Sequence, residues 1–135
     1  MHNWQIADFG RIMRDGKWPL ADPRYTVLLD QRPTVPLSAS LEAPEEWKPP
    51  IVRIVRYENT VIDIEVDAAE SGFVVLNDVW HPWWFATIDG SPAKVHKANV
   101  LFRAVIVGPG RHQVRFEFAP VAGALQELRS KLAGY

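Results

Sequence analysis

The side chains of this chain that are best suited to chemistry crowd into one stretch, Asn77-Asp78-Val79-Trp80-His81-Pro82-Trp83-Trp84-Phe85-Ala86-Thr87-Ile88-Asp89-Gly90. Three of the 6 tryptophans fall there, at Trp80, Trp83 and Trp84. Exposed indoles stack on sugar C–H faces and anchor binding partners. On strand parity Trp84 shares a face with Ala86 and Ile88, which makes it a core residue. Trp80 and Trp83 flank Pro82 in a loop and are the surface candidates. With Asp78 and His81 beside them, they form a candidate glycan or partner contact. The competing reading of the tryptophans is architectural, as filling for the core and the end of the fold.

Asp78 and Asp89 bracket that loop and are the natural pair to test as a hydrolase. Glycoside hydrolysis needs two carboxyl groups at a set separation, one with a raised pKa. Each also has a local role: Asp78 as a side chain that bonds loop amides, Asp89 as the residue before Gly90 in a turn. The histidines are His2, His81, His96 and His112. None has a partner at HxH or HxxxH spacing, so no metal centre is expected. With no nucleophile elbow and no phosphate-binding glycine loop, neither catalytic residues nor a cofactor are expected. Gly108-Pro109-Gly110 lacks a following lysine and reads as a turn. Arg53, Arg56, Arg103, Arg111 and Arg115 fall on strand segments with acidic neighbours and read as solvated faces.

Composition narrows the setting. At 135 residues, the chain has the length of one domain, and 47% apolar residues supply a real core. Lys plus Arg number 15 against 16 for Asp plus Glu, a net charge of −1, so a basic field for nucleic acid is absent. There is no cysteine, which removes thiol catalysis, disulfides and Cys-based zinc sites. No apolar run approaches the roughly 20 residues of a membrane helix, and Met1-His2-Asn3-Trp4 lacks the features of a signal peptide.

Three regions must position these groups, all within one domain. Residues 1–50 hold seven of the 11 prolines, at positions 19, 23, 33, 36, 44, 49 and 50. Proline lacks a backbone donor, so this region reads as an N-terminal strap with edge strands at Tyr25 to Leu29 and Ser38 to Leu41. Before it, Trp4, Ile6, Phe9 and Met13 suggest a short amphipathic helix ended by Gly16. Residues 51–120 read as a β-sandwich core. Ile62, Ile64 and Val66 alternate with Asp63, Glu65 and Asp67. Val114, Phe116 and Phe118 alternate with Gln113, Arg115 and Glu117. Phe73-Val74-Val75-Leu76 reads as a strand buried on both faces. Turn residues at Glu58-Asn59, Asp89-Gly90 and Pro109-Gly110 separate the strands. In residues 121–135, Val121, Ala124, Leu125, Leu128 and Leu132 recur at helical spacing and predict a C-terminal amphipathic helix, expected to pack on its own domain, with a membrane surface or a partner helix as the alternative. The fold class is therefore all-β: an antiparallel β-sandwich, jelly-roll-like, with a Pro-rich strap and a C-terminal helix.

Four blocks, in order, resemble the C-terminal part of the YfhO-like bacterial membrane proteins. They are Gly72 to Asp78, Trp80 to Gly90, Ala98 to Val107, and Gly110 to Pro120. The likeness covers about residues 51–120, with a weaker echo at Pro23-Arg24-Tyr25. Where the family has glycine after proline, this chain has Trp83. The family commonly continues into a membrane helix after the last proline, and here Gln126, Glu127, Arg129 and Lys131 interrupt any such span. The resemblance implies an extracytoplasmic β domain on the periplasmic face of the inner membrane. It would be carried by a multi-pass, glycosyltransferase-like protein whose catalytic carboxylates lie elsewhere. On that expectation the domain is not itself an enzyme and positions a glycan or lipid-linked acceptor, or docks on its own membrane-embedded region. A free carbohydrate-binding module using Trp80 and Trp83 is the alternative, and a small hydrolase using Asp78 and Asp89 is the third.

Overall fold

The computed structural model describes residues 3–19, 26–33 and 50–134. Its strands form two sheets packed face to face. The first has the order β1-β2-β8-β9-β5 and the second β3-β4-β10-β6-β7. The β-sandwich expected from the alternating segments is the observed architecture.

The second sheet grows from the clearest alternation. β4 (Val61–Ala68) and β10 (Gly110–Phe118) pair antiparallel, with Val114 opposite Ile64 and Phe116 opposite Ile62. Paired residues share a face, so Ile62, Ile64, Val66, Val114 and Phe116 all turn inward and are buried. β6 (Trp84–Ile88) flanks β10 on the other side and sets small Ala86 opposite large Phe116. Asp89 and Gly90, both at positive φ, form a two-residue turn into β7 (Ser91–Ala93). That backbone matches the twist of a tight hairpin. β3 (Ile51–Tyr57) borders β4 and is exposed at every residue. Its register slips between Ile54 and Arg56, leaving Val55 as an extra residue.

In the first sheet, β5 (Gly72–Val79) pairs with β9 (Phe102–Val107). Both faces of β5 are covered, as its continuous apolar run predicts. Val74 and Leu76 join the core between the sheets, while Phe73 and Val75 join a cluster with Val27, Leu29, Ala98 and Ala104. β8 (His96–Ala98) links β9 to β2 (Thr26–Leu29), and β2 pairs with β1 (Asn3–Ile6).

Three expectations for the N-terminal third need correction. Trp4 and Ile6 lie in strand β1 and not in a helix. Helix α1 (Phe9–Asp15) starts at Asp8, whose side chain accepts from the Arg11 N–H at 3.0 Å, and stops at left-handed Gly16 as expected. It buries Phe9 and Ile12 against Leu28 and Val100, while Met13 stays exposed. β2 is no edge strand: it lies between β1 and β8 with all four residues buried. The β1–β2 pair is parallel, so the sandwich is not wholly antiparallel. Local proline content misjudged β2 because Thr26 to Leu29 contains none. The predicted strand at Ser38 to Leu41 lies outside the described residues.

Helix α2 (Pro120–Ala133) begins at Pro120, where proline's fixed φ suits the first turn. Of its residues only Gly123 is buried. It therefore does not pack its apolar stripe on the sandwich, contrary to expectation. The contact runs through the opposite face. Gly123 lies so close to the Trp83 ring that a methyl group there would overlap it, and Trp83 Nε1 donates to Glu127 Oε1 at 3.0 Å.

Candidate functional site

The backbone prepares the site at the end of β5. Leu76 pairs with Arg103 and Val79 with Phe102, so Asn77 and Asp78 are two residues more than the facing strand can match. Such bulges re-aim side chains, and they gather beside functional sites. This one turns Asp78 toward Arg103. The Arg103 guanidinium donates from Nη2 to Asp78 Oδ2 at 3.0 Å and from Nη1 to the Val79 carbonyl at 2.9 Å. Its central carbon lies 3.6 Å from the centroid of the Trp84 ring. Arg103 is 0% exposed, which corrects its reading as part of a solvated face. Its Nε has no hydrogen-bond partner among the described residues. Burial pulls the guanidinium below its ordinary value, and the Asp78 charge opposes that pull. Arginine starts high enough to remain a cation.

Asp78 accepts at both of its oxygens. Oδ2 also accepts from the Tyr57 hydroxyl at 3.1 Å, and Oδ1 accepts from the Val79 N–H at 2.8 Å. The hydrogen bond to Asp78 raises the Tyr57 phenol above its ordinary value. Tyr57 belongs to β3 and Asp78 to β5, so this bond ties the two sheets together. Trp80 follows directly, fixed by its N–H to the Leu101 carbonyl at 2.6 Å. The Lys97 ammonium sits 5.5 Å from the Trp80 ring centroid, within cation–π range. Tyr57, Val79 and Leu101 are exposed, and Trp80 is half-buried. The result is an aromatic and apolar surface with a carboxylate, a phenol and an ammonium at its edges.

The other candidates are placed differently. Trp83 is half-buried beneath α2, and Trp84 is half-buried against the core with Arg103 on its face. His81 is exposed, and its Nδ1 accepts from the Trp83 N–H at 3.1 Å. Its ring meets Trp83 edge-on at 4.9 Å and Phe118 at 5.7 Å. Of the four residues singled out, Asp78 and Trp80 share the platform. His81 and Trp83 belong to an aromatic cluster that seats the helix.

Asp89 is remote from Asp78. Asp78 bonds Arg103, which stacks on Trp84, the first residue of β6, while Asp89 follows Ile88, the last. That strand is about 13–17 Å long, and two-carboxylate hydrolysis needs less than about 10 Å. Asp89 is occupied as well. Oδ1 accepts from the Gln113 N–H at 2.8 Å, and Oδ2 meets His112 Nδ1 at 2.6 Å. His112 Nε2 faces the Pro109 carbonyl at 3.1 Å, which leaves no ring nitrogen free to act as a base. This pair borders an open cleft of about 690 Å³ whose lining also includes Arg53, Glu65, Asp67 and Arg111. Those charges pair with one another, Arg53 with Glu65 at 2.6 Å and Arg111 with Asp67 at 3.5 Å. Among the described residues no group of His, Asp or Glu is arranged to hold a metal ion, and no helix is long and apolar enough to cross a membrane.

Sequence reasoning missed Tyr57, Lys97 and Arg103 at the platform. The signal for Arg103 was present: it interrupts an otherwise apolar strand, Phe102 to Val107, where a charge must be paired or exposed. Compared with family models, curated proteins and solved structures, the chain matches none.

Proposed function

We propose that this chain is a non-catalytic, extracytoplasmic domain of a multi-pass, glycosyltransferase-like membrane protein, and that its platform positions a glycan or a lipid-linked acceptor. The observation that carries the reading is Trp80 with Lys97 over its ring, two residues beyond the Asp78 carboxylate that holds the Tyr57 hydroxyl. An indole face gives stacking area to a sugar ring, and the groups at its edge direct hydroxyls. The carboxylates and the His112 imidazole are engaged in structural hydrogen bonds, which favours recognition over reaction. The family resemblance of residues 51–120 supports the membrane-protein setting.

The test is a glycan array followed by NMR titration with the best oligosaccharide. The Trp80 indole N–H resonance moves and the Trp83 resonance does not, and Trp80→Ala abolishes binding. An unperturbed Trp80 at saturating glycan overturns the proposal. The alternative, a free carbohydrate-binding module, is favoured by Trp80 alone, since Trp83 is held by Glu127 and Gly123. Membrane spans encoded in the same reading frame upstream of Met1 separate the first reading from the second.

A further inference from the structure

We infer that helix α2 is a self-association element, through which two copies of the chain pair with their α2 helices antiparallel. The helix is anchored by one face, through Gly123 and Glu127 on Trp83. The other face carries Val121, Leu125, Leu128 and Leu132, exposed at 74%, 50%, 54% and 65%. Their spacing of four, three and four residues matches the a/d positions of a coiled-coil seam. In a heptad frame Gly123 and Ser130 fall at f, directly opposite the seam. The anchored side and the seam are therefore back to back.

The seam is complementary to itself. Reversing the helix about its midpoint brings Val121 over Leu132 and Leu125 over Leu128, the a–d′ layers of an antiparallel pair. The flanking positions settle the direction. Ala122 and Ala124 border the seam in its first half, and Arg129 and Lys131 border it in its second. Antiparallel pairing sets Ala122 beside Arg129 of the second copy and Ala124 beside Lys131. Each long side chain then lies over a small one, its stem on apolar surface and its charge in water. Parallel pairing gathers all four cations at one end and aligns the helix dipoles, both unfavourable. Charge also weighs against an anionic membrane as occupant: Arg129 and Lys131 are offset by Glu127, a small excess for lipid attraction. The helix is about 21 Å long at 1.5 Å per residue. A pair of that length buries on the order of 1,000 Å², the low end for a specific interface, so the dimer is a weak one.

Analytical ultracentrifugation of the full chain from about 1 µM to about 1 mM reads this directly. The expected result is a reversible monomer–dimer equilibrium that the double variant Leu125→Glu, Leu128→Glu abolishes with an unchanged melting temperature. Because the chain has no cysteine, single cysteines report the geometry cleanly. A mixture of Leu125→Cys and Leu128→Cys proteins cross-links at least about tenfold faster than either alone, a gap of about 1.4 kcal/mol. A monomer throughout the range overturns the proposal. So does faster cross-linking of Leu125→Cys with itself, or a chain that sediments with phosphatidylglycerol vesicles while never dimerising.

Discussion

Arg103 rests its guanidinium on the face of Trp84, 3.6 Å from the ring centroid, and reaches past it to Asp78 at 3.0 Å. The ring supplies the negative π face and the carboxylate supplies the counter-charge, so a cation is held where water cannot reach it. This joins the core of the sandwich to the surface that Trp80 presents.

Truncating either member of the stack therefore costs stability. Arg103→Ala opens a cavity and leaves the Val79 carbonyl without its donor, an expected loss of about 2–4 kcal/mol. Trp84→Ala removes the ring beneath a buried charge, an expected loss of about 3–5 kcal/mol. Urea denaturation of both variants checks these values, and a melting curve unchanged from the parent would remove Trp84 from the core.

Stability at the opposite end of β6 depends on pH. Asp89 raises the His112 imidazole above its ordinary value, so His112 contributes fully below pH about 6.5 and its contribution is lost as pH rises through the folded value. The Gln113 N–H, and then His112, lower the Asp89 carboxyl. Its contribution is present above pH about 4 and is lost as pH falls through the folded value. Melting temperature therefore peaks between these limits. His112→Gln flattens the alkaline side of that profile, measured by scanning fluorimetry across about pH 2–9, a window set to about two units beyond each group's ordinary value.

Gly123 has no room for a side chain. Gly123→Ala gains about 1 kcal/mol of helix propensity but forces α2 off Trp83, for a net loss of about 1–3 kcal/mol. A shift of tryptophan emission on unseating the helix reports the change. If the variant is more stable with unaltered emission, the packing is wrong.

The β8–β9 turn stores strain. Asn99 and Val100 are both at positive φ, which is unusual for a β-branched residue. Val100 is held there by burial among Phe9, Ile12 and Leu28, and Asn99 Oδ1 accepts from the Leu28 N–H at 2.8 Å. Asn99→Ala orphans that donor and disfavours the backbone, for about 1–3 kcal/mol. Hydrogen exchange at Leu28 is the sensitive readout, with faster exchange expected.

Period-two alternation made β4 and β10 legible because each has one face against the other sheet and a clear contrast of residue types, and an unbroken apolar run did the same for β5, which is covered on both faces. Asp89-Gly90 was legible for a different reason: turn chemistry is local. Trp4 and Ile6 misled because residues two apart suit a strand as well as a helix's edge, and the choice was made by pairing with β2, far along the chain. Arg103 was misread because strand parity gives a face and says nothing of what lies opposite it. The platform was half visible. Asp78 and Trp80 stand two residues apart in the chain, but Tyr57 and Lys97 reach them only across strand pairings.

The extra residue at Val55 has a consequence for colloidal behaviour. β3 is an apolar flank of the second sheet, exposed along its whole length, and an unbroken strand of that kind invites neighbour molecules to stack without limit. The kink at Val55 puts the flank's backbone groups out of step halfway along. Any arriving strand then meets a fault before it can zip. Excising Val55 would mend the fault, and the resulting protein should seed thioflavin-positive ribbons at concentrations where the parent stays clear.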